Sequence, residues 1–186
     1  MSKAFITVIE PQDENQTNLL KRAYKRIAGT RGRVANVLQI QSLHPKALMD
    51  HLDLYMTLMY EESPLTRIQR ELIAAYTSYL NNCEYCIIHH YEALLFNWKN
   101  APSMEELATG KDLSKQDKEM IKFVRKLTKE PWKLKEDHIN RLREVGFNDR
   151  SILDITSISS YFNFVNRLVL GLGVQIENEK ERKYNY

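Results

Sequence analysis

Thiol chemistry is suggested by a group of residues near the middle of the chain. The group contains two cysteines, a histidine, a glutamate and a serine. The segment NNCEYCIIHH contains Cys83 and Cys86, the two cysteines of the sequence, and His90 follows four residues after the second of them. Glu71 and Ser78 lie upstream, seven residues apart. A thiolate can attack an electrophilic oxygen or sulfur, and a nearby second thiol can then close a disulfide. We therefore predict a redox-active dithiol.

The reactivity of this dithiol depends on where a helix begins. Asn81 and Asn82 can end one helix and cap the next, which would put Cys83 in the first turn of the second helix and Cys86 one turn further along. The unpaired N–H groups of a helix start and the helix dipole both favour a nearby anion. Such a position stabilises a thiolate and lowers the pKa of a cysteine.

Helical periodicity places Cys83, Cys86 and His90 on one face, because their separations are three, four and seven residues. His90 then stands one turn behind Cys86. We therefore predict that Cys86 is the attacking sulfur and that Cys83 resolves the product. His89 points away from this face and is expected to be an ordinary histidine, partly buried or at the surface.

Glu71 and Ser78 share one face of the preceding helix, because they lie two turns apart. If that helix packs antiparallel beside the cysteine helix, this face can point at His90. A carboxylate buried among apolar side chains there would suit a group that accepts and returns a proton. The alternative is an exposed Glu71 that pairs with Arg67 or Arg70.

The elements around these residues are predicted to be helices. Apolar residues recur at three- and four-residue spacing almost throughout, and start signals such as Pro45 and Thr66 stand where helices should begin. Ser103 and Ser114 each open a further helix with a polar partner three residues on. The segment AFITVIE is the one candidate strand. We predict helices over about 16–28, 45–60, 66–80, 83–97, 115–128, 135–145 and 149–170, with a short one after Ser103.

Size and composition fit a single helical domain. The chain has 186 residues, of which 43% are hydrophobic and 27% charged, with six glycines and five prolines, which argues against extensive disorder. We predict one domain over residues 1–186, with a short arm over about 1–15 and a flexible tail over about 177–186.

The charge pattern argues against a nucleic-acid partner. The 27 basic and 24 acidic residues are interleaved and give a net charge of +3. The densest basic stretch, residues 21–33, is predicted to be a solvated helix face, with an anionic ligand or partner as the alternative. No apolar run is long enough to cross a membrane, and the amino terminus does not resemble a secretory signal. We expect a cytoplasmic protein with no membrane partner, in which thiols are kept reduced.

The motif E-x11-C-x-Y-C-x3-H, which begins at Glu71, resembles the alkylhydroperoxidase D (AhpD)-like branch of the carboxymuconolactone decarboxylase superfamily. The resemblance extends from about residue 34 to residue 176. It is carried by segments similar to those of the peroxidase-related members of that branch, namely SLHPKALMDHLDLY, SPLTRIQRELIA, CEYCIIHH, VGFNDRSILDI and YFNFVNRLVLGLGV.

The resemblance implies an all-helical AhpD-like bundle that forms a homo-oligomer and reduces hydroperoxides. By position in the motif, Cys86 would react with the peroxide, Cys83 would resolve, and Glu71 and His90 would carry the proton. No metal and no organic cofactor is implied. A dithiol reductant or a redox adaptor protein would regenerate the thiols.

Tyr85 departs from the pattern of this family, whose founding peroxidases have a histidine just before the second cysteine. Tyrosine can donate a hydrogen bond but cannot serve as a base near neutral pH. A general dithiol–disulfide oxidoreductase, or a redox sensor, is therefore the alternative function. We expect Tyr85 and Ser78 to support the site.

Other readings of these residues stay open. The cysteines and His90 could bind a metal, with His44, His51 or His138 as a further ligand, although no second cluster of ligands is obvious. The cysteines could also be inert and packed in an assembly protein.

Three polar residues interrupt the apolar end of the last predicted helix. Asn163, Asn166 and Arg167 lie on one side of it, at spacings of three and four residues. We expect them to satisfy helix ends or subunit contacts. A polar wall that faces a substrate is the alternative.

Overall fold

The computed structural model describes residues 3–178, except for the side chain of Arg31, and within them it contains nine α-helices, one 3-10 helix and no strand. The prediction of an all-α fold is confirmed. The α-helices are α1 Asn18–Arg31, α2 Asn36–Gln39, α3 Pro45–Tyr60, α4 Arg67–Leu80, α5 Glu84–Asn97, α6 Met104–Ala108, α7 Lys115–Lys129, α8 Glu136–Glu144 and α9 Asp149–Leu172. The 3-10 helix covers Pro131–Lys133.

Polar caps explain why several helices begin where the sequence predicts. The side chains of Thr17, Thr66, Ser103 and Ser114 each accept a hydrogen bond from a backbone N–H of the first turn that follows. At Thr66 the cap is reciprocal, because the Gln69 side chain bonds back to the backbone of the capping residue. The observed limits of these helices lie within three residues of the predicted ones.

Two short helices and one expected strand differ from the prediction. Helix α2 and the 3-10 helix are too short to show a periodic apolar pattern. The AFITVIE segment forms bends followed by irregular backbone instead of a strand. The backbone N–H of Phe5 donates to the carbonyl of Leu172, and the Lys3 carbonyl accepts from Gln175, so this segment pairs with the chain around the end of α9 and not with another strand.

The chain divides into two compact units. Unit 1 comprises Met1–Thr57 and Arg167–Tyr186, and unit 2 comprises Leu58–Asn166. The apolar core of unit 1 is formed by Leu20, Ala23, Tyr24, Ile27, Val34, Leu48 and Leu52. Glu177, in the predicted tail, is buried and accepts a hydrogen bond from the backbone N–H of Asn36 at 2.6 Å. Residues 179–186 of that tail lie outside the described residues, and the single domain and the homo-oligomer stay predictions.

Helix α4 lies at the centre of unit 2, where it packs against α5 and α7. Eleven of its fourteen residues are buried, so little of the surface of α4 is exposed to solvent. Leu72, Ile73 and Tyr76 fill the core, and the small side chains of Ala74 and Ala75 let neighbouring helices approach. Any polar side chain in the middle of α4 is therefore held inside the protein.

None of the helices between residues 3 and 178 is both long and apolar enough to cross a membrane.

Candidate active site

The turn between α4 and α5 sets the position of the two cysteines. Asn81 is the C-cap of α4, and Asn82 reverses the chain in the left-handed region with φ of 53°. Cys83 is itself the N-cap of α5, and its N–H donates to the carbonyl of Ser78 at 3.0 Å. The expectation that the asparagines cap α5 and that Cys83 lies in its first turn is therefore wrong. Asn81 and Asn82 both lie in the turn that ends α4, and Cys86 lies in the first turn of α5.

The two sulfur atoms lie side by side in the protein interior. Both cysteines are free, and their exposed fractions are 0% for Cys83 and 3% for Cys86. The Sγ atoms are 3.1 Å apart, in an S–H···S contact. A disulfide bond is about 2 Å long, so oxidation requires each sulfur to move by only about half an ångström.

The surroundings of the two sulfurs favour a negative charge on one of them over the other. The pKa of the Cys83 thiol is lowered, chiefly because the Cys86 thiol donates to it, with help from the Cys86 backbone N–H. The pKa of the Cys86 thiol is raised well above its ordinary value by the same contact and by burial. The proton between the two sulfurs can lie on either atom, and these contacts favour a thiolate on Cys83 and a thiol on Cys86.

Two neutral polar side chains, Asn166 from α9 and Ser78 from α4, lie next to the dithiol. Asn166 acts to lower the pKa of both thiols. Asn166 and Ser78 have no exposed surface, and the Asn166 Nδ2 donates to the Ser78 Oγ at 3.0 Å. The site thus draws residues from α4, α5 and α9.

The buried Glu71 and the partly buried His90 form a pair that joins α4 to α5. The Glu71 carboxylate has no exposed surface, and its Oε2 lies 2.8 Å from the Nδ1 of His90. Its Oε1 lies 2.6 Å from the Nη2 of Arg67. These two atoms form an ion pair but do not have the geometry of a hydrogen bond. Arg67 also donates from Nη1 to the carbonyl of Met59 and stacks over the ring of Tyr60 at 4.0 Å.

This contact fixes the orientation of the His90 ring. The Glu71 carboxylate can accept a hydrogen bond but cannot donate one, so the Nδ1 of His90 carries the proton. In the neutral ring the lone pair is then on Nε2. The ring also packs edge-on against Phe162, with centroids 4.4 Å apart. His90 can therefore act as a base through Nε2, one helical turn after Cys86.

The predicted supporting residue Tyr85 is buried, and its ring centroid lies 4.5 Å from that of His89. His89 is only partly buried, in keeping with its expected place outside the site.

The structure places Glu71 in contact with His90, and it groups Cys83, Cys86 and Ser78 with Asn166. The sequence contains one indication of Asn166, which is an amide within an apolar run. Its partner could not be inferred, because contact with the cysteines joins residues 80 or more positions apart.

The metal-binding alternative gains no support from the fold. Within residues 3–178, no three histidine, cysteine, aspartate or glutamate side chains come together in an arrangement that could hold a metal ion. His51 lies in unit 1 and contacts Gln41, and His138 caps the start of α8.

Comparison with solved structures gives the fold its name. The chain is 24% identical to the alkylhydroperoxidase AhpD core of an uncharacterized peroxidase-related protein from Ralstonia eutropha JMP134, with a TM-score of 0.84 over 96% of this chain and 95% of that one. It is 26% identical to an uncharacterized peroxidase-related protein from Silicibacter sp. TM1040, with a TM-score of 0.85 over 96% and 94% of the two chains. The fold is AhpD-like.

Comparison of sequences points to a named family. Mouse Sestrin-3 is 24% identical over 170 residues, which cover 89% of this chain and 33% of that protein, so the chain spans about a third of the length of this relative. The family described as PA26 p53-induced protein (sestrin) matches residues 2–186. Because that match covers nearly the whole sequence, the chain belongs to the PA26 p53-induced protein (sestrin) family.

Proposed function

We propose that this protein is a thiol peroxidase that reduces hydroperoxides through the Cys83–Cys86 dithiol. The observation that carries the proposal is the pair of free sulfurs 3.1 Å apart, with His90 one turn further along α5 and paired with Glu71 of α4. The Silicibacter protein of the same fold is described as peroxidase-related, which supports the same class of reaction.

The reaction begins with a single negative charge on the dithiol. One thiol proton passes to the Nε2 of His90, and Glu71 holds the resulting imidazolium. The remaining proton moves along the S–H···S contact, so that the charge carried by Cys83 in the resting pair reaches Cys86. Cys86, the attacking sulfur that the family resemblance implies, thereby becomes the thiolate.

The oxygen transfer and the closure of the disulfide follow. The Cys86 thiolate attacks one oxygen of the hydroperoxide ROOH, the O–O bond breaks, and the leaving alkoxide takes the proton of His90 to become ROH. The Cys83 thiol then attacks the sulfenic sulfur of Cys86, and the hydroxyl leaves as water with the Cys83 proton. The dithiol loses two electrons, and the products are a disulfide, ROH and water.

The disulfide requires an external reductant in each cycle. We propose a dithiol compound or a redox adaptor protein for this step, because thiol–disulfide exchange returns both sulfurs to the reduced state without another cofactor.

The proposal is tested by following thiol loss in the reduced protein. Hydrogen peroxide and cumene hydroperoxide should each remove two thiols per equivalent and join Cys83 to Cys86, as read by mass spectrometry. The rate should exceed that of free cysteine, and Cys86→Ser should abolish disulfide formation. Oxidation no faster than that of free cysteine would exclude the peroxidase.

A general dithiol–disulfide oxidoreductase is the second candidate function. Tyr85 favours it, because this buried residue cannot serve as the base that a histidine at its position would provide. Such an enzyme would reduce a model protein disulfide at a rate above that of free dithiol while reacting slowly with peroxide. Both rates measured on one preparation separate the two functions.

A further inference from the structure

Three asparagine side chains form a continuous hydrogen-bonded chain that ends at the dithiol. Asn163 and Asn166 come from α9, and Asn81, the C-cap of α4, lies between them. The Asn81 Nδ2 donates to the Oδ1 of Asn163 at 3.0 Å and to the Oδ1 of Asn166 at 2.9 Å. Both hydrogens of the Asn81 amide are therefore used, and both partners must present their oxygen to it.

A backbone carbonyl fixes the direction of the chain at its far end. The Nδ2 of Asn163 donates to the carbonyl of Ser159 at 3.0 Å and to the hydroxyl of Thr128 at 3.2 Å. A carbonyl can only accept, so this contact sets which end of the Asn163 amide is nitrogen. The Asn163 oxygen then has to face Asn81.

A second carbonyl fixes the direction at the end near the cysteines. The hydroxyl of Ser78 donates its one hydrogen to the carbonyl of Ala74 at 2.8 Å. The Ser78 oxygen can then only accept, and it accepts from the Nδ2 of Asn166 at 3.0 Å. The two ends of the chain independently require the same orientation of Asn166.

This orientation leaves one hydrogen of the Asn166 amide for the sulfurs. Its oxygen is bonded to Asn81 and one N–H to Ser78, and the side chain has no exposed surface through which the second N–H could reach bulk water. The Asn166 Nδ2 lies at Ser78, whose carbonyl accepts from the Cys83 N–H at 3.0 Å, and the Asn166 side chain acts to lower the pKa of both thiols. An N–H donor stabilises a sulfur that is an anion more than one that is a thiol.

We propose that Asn166 is a further catalytic residue, whose second amide N–H donates to whichever sulfur of the dithiol carries the negative charge. The donor is shared between the two sulfurs, so it stabilises the charge both before and after the proton moves between them. This inference deepens the proposed function, since it concerns the same sulfur pair.

The titratable groups near the pair lie on three helices. His90 and Tyr85 belong to α5, Glu71 belongs to α4, and Lys129 of α7 donates to the carbonyl of Leu80 at the end of α4. Asn166 is neutral at every pH, so its removal shifts the titration of the thiols without adding a titrating group.

The test is the pH profile of alkylation of the reduced protein by iodoacetamide, with each cysteine read separately by mass spectrometry. Asn166→Leu keeps the approximate volume and removes the donor. We expect the midpoint for Cys83 to rise by about one pH unit, which is roughly a tenfold loss of thiolate at neutral pH. The midpoint does not depend on how fast a buried sulfur is reached.

Asn163→Ala is the matched control, because it removes a neighbouring asparagine of the same helix and the same chain. Ser78 and Ala74 still orient Asn166 in that variant, so the midpoint should stay within about 0.3 pH unit of the wild-type value. An equal shift in both variants would overturn the inference, because it would indicate a general loosening of the site.

Asn166→Asp keeps the inference falsifiable if the leucine variant does not fold. A carboxylate repels the thiolate and lacks the donor, so the midpoint should rise at least as far as in Asn166→Leu. An unchanged or lower midpoint would overturn the inference. The assay contains no peroxide, so a wild-type protein without peroxidase activity would end the proposed function and leave this test intact.

Discussion

Glu71 holds His90 by a contact of 2.8 Å between its Oε2 and the Nδ1 of the imidazole, inside the protein. The other carboxylate oxygen faces Arg67, so the pairing with an arginine and the approach to the histidine, which the sequence presents as alternatives, both occur. The assumption of an exposed Glu71 is wrong, because α4 buries this position completely.

Replacing Glu71 by glutamine should slow the oxidation of the dithiol by roughly a hundredfold, because the amide cannot hold an imidazolium as the carboxylate does. We also expect a loss of about 1–3 kcal/mol in the free energy of unfolding, since the buried carboxylate that pairs with Arg67 is removed. Stopped-flow thiol loss and urea unfolding measure the two effects. The exposed Glu62→Gln should change neither, and an equal rate in both variants would refute the role of Glu71.

The adjacent histidines offer a matched comparison. His90→Asn keeps a donor toward Glu71 but has no basic nitrogen, so the rate with hydroperoxide should fall by about two orders of magnitude. His89→Asn should stay within about twofold of the wild-type rate, because the His89 ring packs against that of Tyr85. Rates that fall equally in both variants would show that packing of α5, and not proton transfer, is responsible.

Limiting iodoacetamide at pH 7 should modify Cys83 before Cys86. The lowered pKa of Cys83 gives it the larger thiolate fraction at this pH, and the raised pKa of Cys86 keeps that sulfur protonated into the alkaline range. In Cys83→Ser the neighbouring sulfur is gone, so the pKa of Cys86 should fall and its alkylation at pH 7 should become faster. Peptide mapping that finds Cys86 modified first in the wild type would contradict the charge distribution.

A histidine at position 85 should raise the rate with hydroperoxide severalfold, because it would add a basic group next to Cys86. Tyr85→Phe is the control, since it removes only the hydroxyl. The second-order rate constants of both variants are measured with cumene hydroperoxide. If Tyr85→His is no faster than Tyr85→Phe, the missing histidine does not limit turnover.

The free energy of unfolding should fall in acid because His51 in unit 1 is buried. Burial lowers the pKa of His51 to about 4, whereas in the unfolded chain it stays near 6.5. Above pH 6.5 neither state binds the proton. Between pH 6.5 and 4 only the unfolded chain does, so the free energy of unfolding should drop by about 3 kcal/mol over this range.

The control for this prediction is the exposed His44. His51→Gln should flatten the loss of stability between pH 6.5 and 4 in urea unfolding, and His44→Gln should leave the wild-type slope in place. A wild-type slope in His51→Gln would show that other groups cause the acid sensitivity.

The parts of the site that could be predicted are those set by spacing along one helical hairpin. Seven residues place Glu71 and Ser78 on one face of α4, and four place His90 behind Cys86, so the helical repeat alone puts the members of each pair on a common face. The start of α5 was harder, because Asn81 and Asn82 can end a helix as well as begin one. In the structure Asn82 reverses the chain with φ of 53°, and Cys83 then becomes the N-cap of α5.

The parts that could not be predicted depend on packing between distant segments. Asn163 and Asn166 were expected to satisfy helix ends, and their bonds to Asn81 at the end of α4 agree with that. The contact of Asn166 with the sulfurs required knowing which face of α9 meets α5. The division of charge between Cys83 and Cys86 likewise depends on single hydrogen bonds and not on residue spacing.

The acid, the base and both thiols come from one hairpin, whereas Asn166 arrives from a helix some eighty residues later in the chain. Local contacts form readily during folding, and distant ones must first overcome the entropy of closing a long loop. A nascent chain would therefore assemble its reactive groups before α9 covers them. We expect the sulfurs to be more open to oxidants in that interval, until α9 docks.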